Sequence, residues 1–67
     1  MTIEQKVGAN IAKLRKDMGL LQSELAEKIG TSQVHISRIE KGLSLPNFGL
    51  IIKIAEVLSC TTDDFLK

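Results

Sequence analysis

The sequence predicts an all-α fold, on three observations. Apolar residues recur at helical spacing, as Val7, Ile11, Leu14 and Met18, then Leu25, Ala26 and Ile29, then Ile36 and Ile39. Gly19 and Gly30 stand where two of those stripes stop, the place for a residue that adopts positive φ. Ser32, Asn47 and Thr61 offer side-chain oxygens where new helices would begin.

Helix one is expected over about Ile3–Met18. Gly8 inside it costs up to ~1 kcal/mol relative to alanine. Helix two begins near Gln22 and buries Leu25, Ala26 and Ile29, with Ala26 small where two helices cross steeply. Leu21 cannot cap it, so either the cap is lost or Ser23 caps a helix shifted two residues onward. Gly30 closes helix two and Ser32 opens helix three, about Gln33–Lys41. Two short helices joined by a tight glycine-containing turn make a helix-turn-helix over residues 22–41.

With Ile36 and Ile39 inward, a pitch of about 100° per residue turns Val34, Ser37, Arg38 and Lys41 outward. Gln33 flanks them and His35 falls at their edge. An amide, a methyl pair, a hydroxyl and two cations suit a polar, negatively charged groove. They form a poor catalytic set, because no nucleophile is paired with a base.

The segment Gly42–Asn47 reads as a loop. Its Leu43 and Leu45 either tuck against the core or belong to a partner surface. Asn47 caps helix four, about Phe48–Leu58, whose inward face is Phe48, Ile51, Ile54, Ala55 and Leu58, with Leu50 and Val57 on another stripe. Thr61 and Asp64 form a capping-box-like pair for a short fifth helix. Phe65 and Leu66 close the core or extend a partner surface, and Cys60 reads as a small hydrophobe.

With 67 residues, 43% hydrophobic and 25% charged, one domain over 1–67 with one small core is expected. A single cysteine forms no internal disulfide. The start MTIEQKVGAN has no apolar leader, and no apolar run approaches the ~20 residues that span a bilayer, so the expected location is cytoplasmic. No spacing suits a metal or cofactor, no small-molecule ligand is evident, and an enzyme is not expected. Net charge is +1, but it is unevenly placed. Through Lys53 eight basic residues face five acidic ones, a net of +3, and the remainder carries one against three, a net of −2. Positive charge therefore accompanies the helix-turn-helix.

Gln22, Ala26, Gly30, Ile36 and Ile39, with the closing Ile39-Glu40-Lys41-Gly42, stand at a known spacing. The chain resembles the phage repressor and Cro (XRE-like) family of bacterial transcription regulators. The likeness runs from about Val7 to Leu66. It includes Leu14-Arg15-Lys16, Gly19-Leu20, Pro46-Asn47, Ile54-Ala55 and the Thr61–Leu66 ending, and in the family a glycine also stands at position 8.

The resemblance implies a compact five-helix, lambda-repressor-like domain with the helix-turn-helix as helices two and three. It implies a sequence-specific regulator that binds double-stranded DNA as a homodimer, with two recognition helices ~34 Å apart on a palindromic operator. The base-reading residues would be Gln33 toward adenine, Val34 toward a thymine methyl, Ser37 through water, and Arg38 toward guanine or a phosphate. Phosphate contacts would fall to Gln22, Ser32, His35, Lys41 and Ser44, with Gln22 otherwise a solvated glutamine. Arg15 and Glu40 would form an ion pair between helices one and three.

A dimer surface is expected around Leu50, Val57, Thr62, Phe65 and Leu66. The alternative is a protein-interaction module, an antitoxin-like partner, which an exposed Leu43 and Leu45 would favour. Two Phe and no Trp or Tyr give no stacking platform for single strands or RNA.

Overall fold

A computed structural model describes every residue, Met1–Lys67. It contains α1 (Ile3–Asp17), α2 (Gln22–Ile29), α3 (Gln33–Glu40) and α4 (Phe48–Val57), then a 3-10 segment at Thr62–Leu66, and no strand. The expected fifth α-helix is thus a 3-10 turn, the form short terminal segments adopt. No helix is long and apolar enough to cross a membrane.

Each helix start has its own local cause. Thr2 and Gln5 form a reciprocal capping box, Gln5 N donating to Thr2 Oγ1 at 3.1 Å and Thr2 N to Gln5 Oε1 at 2.9 Å. α2 begins at Gln22 and is not shifted to Ser23. Leu21 offers no side-chain acceptor, but Glu24 Oε1 reaches back to accept from Leu21 N at 2.8 Å. Ser32 Oγ accepts from His35 N at 3.1 Å, and Asn47 Oδ1 from Leu50 N at 2.8 Å.

All four α-helices end in one kind of turn. A residue at positive φ (Gly19, Gly30, Gly42 or Ser59) is followed by one whose N–H reaches back five residues. The bonds are Leu20 to Arg15 O, Thr31 to Ala26 O, Leu43 to Arg38 O and Cys60 to Ala55 O, at 2.9–3.1 Å. This is the Schellman arrangement, which satisfies carbonyls that the helix itself leaves open.

Ile11, Leu25, Ile36, Ile39 and Ile54 are fully buried and Phe65 nearly so, with Val7, Ala26, Ile29, Ala55 and Leu58 completing the core. Three expectations need correction. Met18 lies outside the core, because the helix ends at Asp17 and Met18 is already in the terminating turn. Phe48 is 77% exposed at the first position of α4, a full turn before Ile51, the next residue of its stripe. Phe65 drops out of the expected dimer surface because it closes the core, the other of its two expected places, and Asn10 Nδ2 donates to its carbonyl at 2.7 Å, tying α1 to the chain end. Of the expected dimer surface, Leu50 and Val57 are half-buried against the core, which leaves Thr62 and Leu66 exposed.

Gly8 sits where α1 crosses α3. A Cβ there would run into the carbonyl oxygen of Ile39 and lie 3.0 Å from that of Glu40. The helix propensity lost at Gly8 permits this close approach.

Candidate nucleic-acid interface

The inner side of α3 is anchored by Ile36 and Ile39, both fully buried. That anchoring and the Gly30 turn fix which side chains face out. Gln33, Val34 and Arg38 are exposed, and Ser37 is half-covered. With Gln22 from the start of α2, and Lys41 and Leu43 from the turn after α3, they line one open concavity of about 620 Å³.

The structure thus brings six of the expected DNA-contacting residues together: Gln22, Gln33, Val34, Ser37, Arg38 and Lys41. Ser32, His35 and Ser44 lie outside this lining. Ser32 is at the α3 cap, its oxygen accepting from His35 N. The His35 ring has Nδ1 2.9 Å from Thr31 Oγ1 and lines a separate depression, with Asn47, Gly49 and Lys53 on its α4 side. Ser44 is half-buried in the loop.

Leu43 enters the lining although its sequence neighbourhood gave only a choice between core and partner surface. Its signal is positional: it directly follows Gly42, whose terminating turn fixes where the next side chain projects.

Behind the concavity lies a charged hydrogen-bond network. Arg15 Nε donates to Glu40 Oε2 at 2.6 Å, Nη2 to Oε1 at 3.0 Å, and Nη1 to the Leu20 carbonyl at 2.6 Å. Gln22 Nε2 donates to Glu40 Oε1 at 2.9 Å. Both charged side chains are almost wholly covered. The hydrogen bond to Glu40 raises the Arg15 pKa above its ordinary value although burial opposes it. A carboxylate in the last turn of α3 opposes the helix dipole, and this forked pairing compensates it. The network therefore joins α1, α2 and α3 and holds Gln22 at the rim by its amide nitrogen.

The lining contains no carboxylate: it offers amides, a hydroxyl, two cations and the apolar side chains of Val34 and Leu43. That set complements a groove that is anionic at its edges and carries acceptors and methyl groups on its floor. It holds no nucleophile–base pair.

Comparison with known proteins agrees with this chemistry. The helix-turn-helix family profile matches residues 11–65. An uncharacterized HTH-type transcriptional regulator, y4dJ of Sinorhizobium fredii, is 34% identical over 58 residues, covering 87% of this chain and 75% of that protein. Among solved structures, the P22 c2 repressor in complex with a synthetic operator superposes with a TM-score of 0.86 at 31% identity, covering 91% of this chain and 92% of that one. SinR, the master regulator for biofilm formation, in complex with DNA, gives 0.84 at 34% identity, covering 91% and 98%.

The full curated sequences of these two are longer. This chain spans 55% of SinR of Bacillus subtilis and 29% of the C2 repressor of Salmonella phage P22. The chain belongs to the helix-turn-helix family of XRE type, the DNA-binding transcriptional regulators that include the phage P22 C2 repressor and SinR.

Proposed function

We propose that the chain reads duplex DNA in a sequence-specific way, binding a palindromic operator as a homodimer with α3 of each copy in the major groove. The observation that carries this reading is the convergence of Gln22, Gln33, Val34, Ser37, Arg38 and Lys41 on one open, carboxylate-free concavity. Two relatives solved with DNA, the P22 c2 repressor and SinR, support it.

On this reading Gln33 pairs with adenine, Val34 meets a thymine methyl, Ser37 acts through water, and Arg38 takes guanine O6/N7 or a phosphate. Gln22 and Lys41 hold phosphates. Gln22 is helped by the open amides of a helix that has no side-chain cap. Ser32, His35 and Ser44, outside the concavity, are left to flanking phosphates. Such a regulator works in the compartment that holds its DNA, for which we propose the cytoplasm.

A second copy is proposed on size and surface. One copy measures 27 × 22 × 21 Å, short of the roughly 34 Å between successive major grooves. Leu45, Phe48 and Ile52 leave apolar surface open on and just before α4, which a second copy would cover.

The test is selection of duplexes from a random pool, followed by salt titration. The expected result is a palindrome bound about 10³-fold or more above random DNA, with affinity falling steeply as salt rises. A second reading, an antitoxin-like protein-interaction module, is favoured by one observation: Leu43 and Leu45 are 71% and 48% exposed. Absence of any enriched duplex would leave that reading standing and remove the first.

A further inference from the structure

Leu43 differs from its counterparts at the other helix ends. Leu20, Thr31 and Cys60, placed by the same backbone bond, are half-buried, whereas Leu43 is 71% exposed. In such turns an apolar side chain at this position commonly rests on the residue whose carbonyl its N–H holds. For Leu20 and Cys60 those residues are Arg15 and Ala55, both buried; for Leu43 it is Arg38, which is exposed.

An exposed leucine alone would be ordinary surface. This one stands on a fixed backbone. Leu43 N bonds to Arg38 O at 3.0 Å, and a Cβ on Gly42 would come within 2.7 Å of Gln5 Cγ, so the turn is packed against α1. Leu43 also lines the same concavity as Val34, with Ser37, Arg38 and Lys41.

We infer that Leu43 is a specificity-determining residue that contacts the C5-methyl group of a thymine, at a different base pair from the thymine read by Val34. The inference rests on the duplex-reading proposal above. The thymine methyl is the apolar feature that base-pair edges present in the major groove. A leucine is poorly matched to a phosphate, and Lys41 is close by to meet one. One apolar side chain from the helix and one from the turn therefore demand methylated pyrimidines at two positions of a half-site.

The experiment uses the full chain and the duplex it enriches from a random pool. Each thymine is replaced in turn by deoxyuridine, which removes the methyl alone, and binding is followed by fluorescence anisotropy. At one thymine per half-site the replacement weakens the parent about 4-fold, the worth of one buried methyl, and leaves Leu43→Ala unaffected. At a second thymine the same pattern holds for Val34→Ala. Equal penalties for parent and Leu43→Ala at every thymine overturn the inference. So does a uniform weakening by Leu43→Ala on all duplexes, which reassigns the side chain to the sugar–phosphate backbone. A parent that enriches no duplex overturns the duplex-reading proposal itself, and that result is seen before any substitution is made. Circular dichroism melting confirms that Leu43→Ala is folded, as its exposure leads one to expect.

Discussion

On its inner side α3 meets α1 with no room for a methyl group at Gly8, and its last turn is bound through Glu40 to Arg15 and Gln22. On its outer side Gln33, Val34 and Arg38 stand in solvent, and none of the three makes a side-chain hydrogen bond within the chain. The same eight residues thus carry a closed face and an open one. A helix that reads DNA, the role proposed for α3, needs both. Contacts to base edges discriminate only when the reader's angle is set by something other than the DNA, and the closed face sets it.

The most severe break of the closed side is Gly8→Ala. Alanine restores helix propensity worth up to ~1 kcal/mol. Its Cβ, however, meets a backbone carbonyl that cannot rotate away, and overpacking of this kind costs 1–3 kcal/mol or more. A net loss of about 2 kcal/mol is expected in denaturant unfolding. A variant as stable as the parent would mean that the crossing opens freely, and the closed-against-open contrast would fail.

Glu40→Ala comes next. It leaves the Arg15 guanidinium covered, with the Leu20 carbonyl as its remaining partner, and frees the Gln22 amide. Breaking a covered ion pair by removing one member is costly, and about 2 kcal/mol is expected here because the pair lies at the edge of the core. Operator affinity should fall further than the stability loss accounts for, since α3 is no longer tied at its C-terminal end. Binding measured well below the melting range separates the two effects.

Arg38→Ala tests the open side. Stability should stay within about 0.5 kcal/mol, as for other exposed substitutions. Affinity for the selected duplex should drop by about 1–3 kcal/mol if Arg38 reads guanine, with relaxed preference at one position. Uniform weakening across sequences, with a shallower salt dependence, would assign Arg38 to phosphate instead.

The contrast also explains which features were legible in the sequence. Ile36, Ile39, Leu25 and Ala26 were readable because helical period and burial coincide in the middle of an element. The outward row from Gln33 to Lys41 followed from the same period. Phe48 and Met18 continue their stripes equally well, yet they sit at the ends of their helices and are exposed. Periodicity reports an angle around a helix axis, not a position along it. Gln22 Nε2 on Glu40, and Leu43 in the concavity, depend on how three helices and a turn come together, which no local pattern encodes.

Phe48→Ser sharpens that point with a smaller effect. Because the ring is 77% exposed, monomer stability should change by no more than about 0.5 kcal/mol. Self-association followed by sedimentation should weaken, as should operator binding at low protein concentration. A melting temperature lowered by many degrees would instead return Phe48 to the core.

The mildest perturbation reaches the closed side from its far end. Asp64 accepts from Thr61 N at 2.9 Å, pairs with Lys67 at 2.8 Å, and so frames the 3-10 turn that seats Phe65 under the core. Chiefly the bond from Lys67, then that from the Thr61 backbone, lower its pKa to about 2. A carboxyl with a depressed folded-state pKa contributes stability above the ordinary carboxylate range and loses it as pH falls toward the depressed value. Acid between about pH 4 and pH 2 should therefore loosen residues 61–67 first, seen as earlier amide exchange at Asp64 and Phe65 than at Ile36 or Ile39. Asp64→Asn should produce that loosening already at neutral pH and abolish its pH dependence, while leaving the outward row of α3 unchanged. Simultaneous loosening of α3 would show that the chain end and α3 form one cooperative unit.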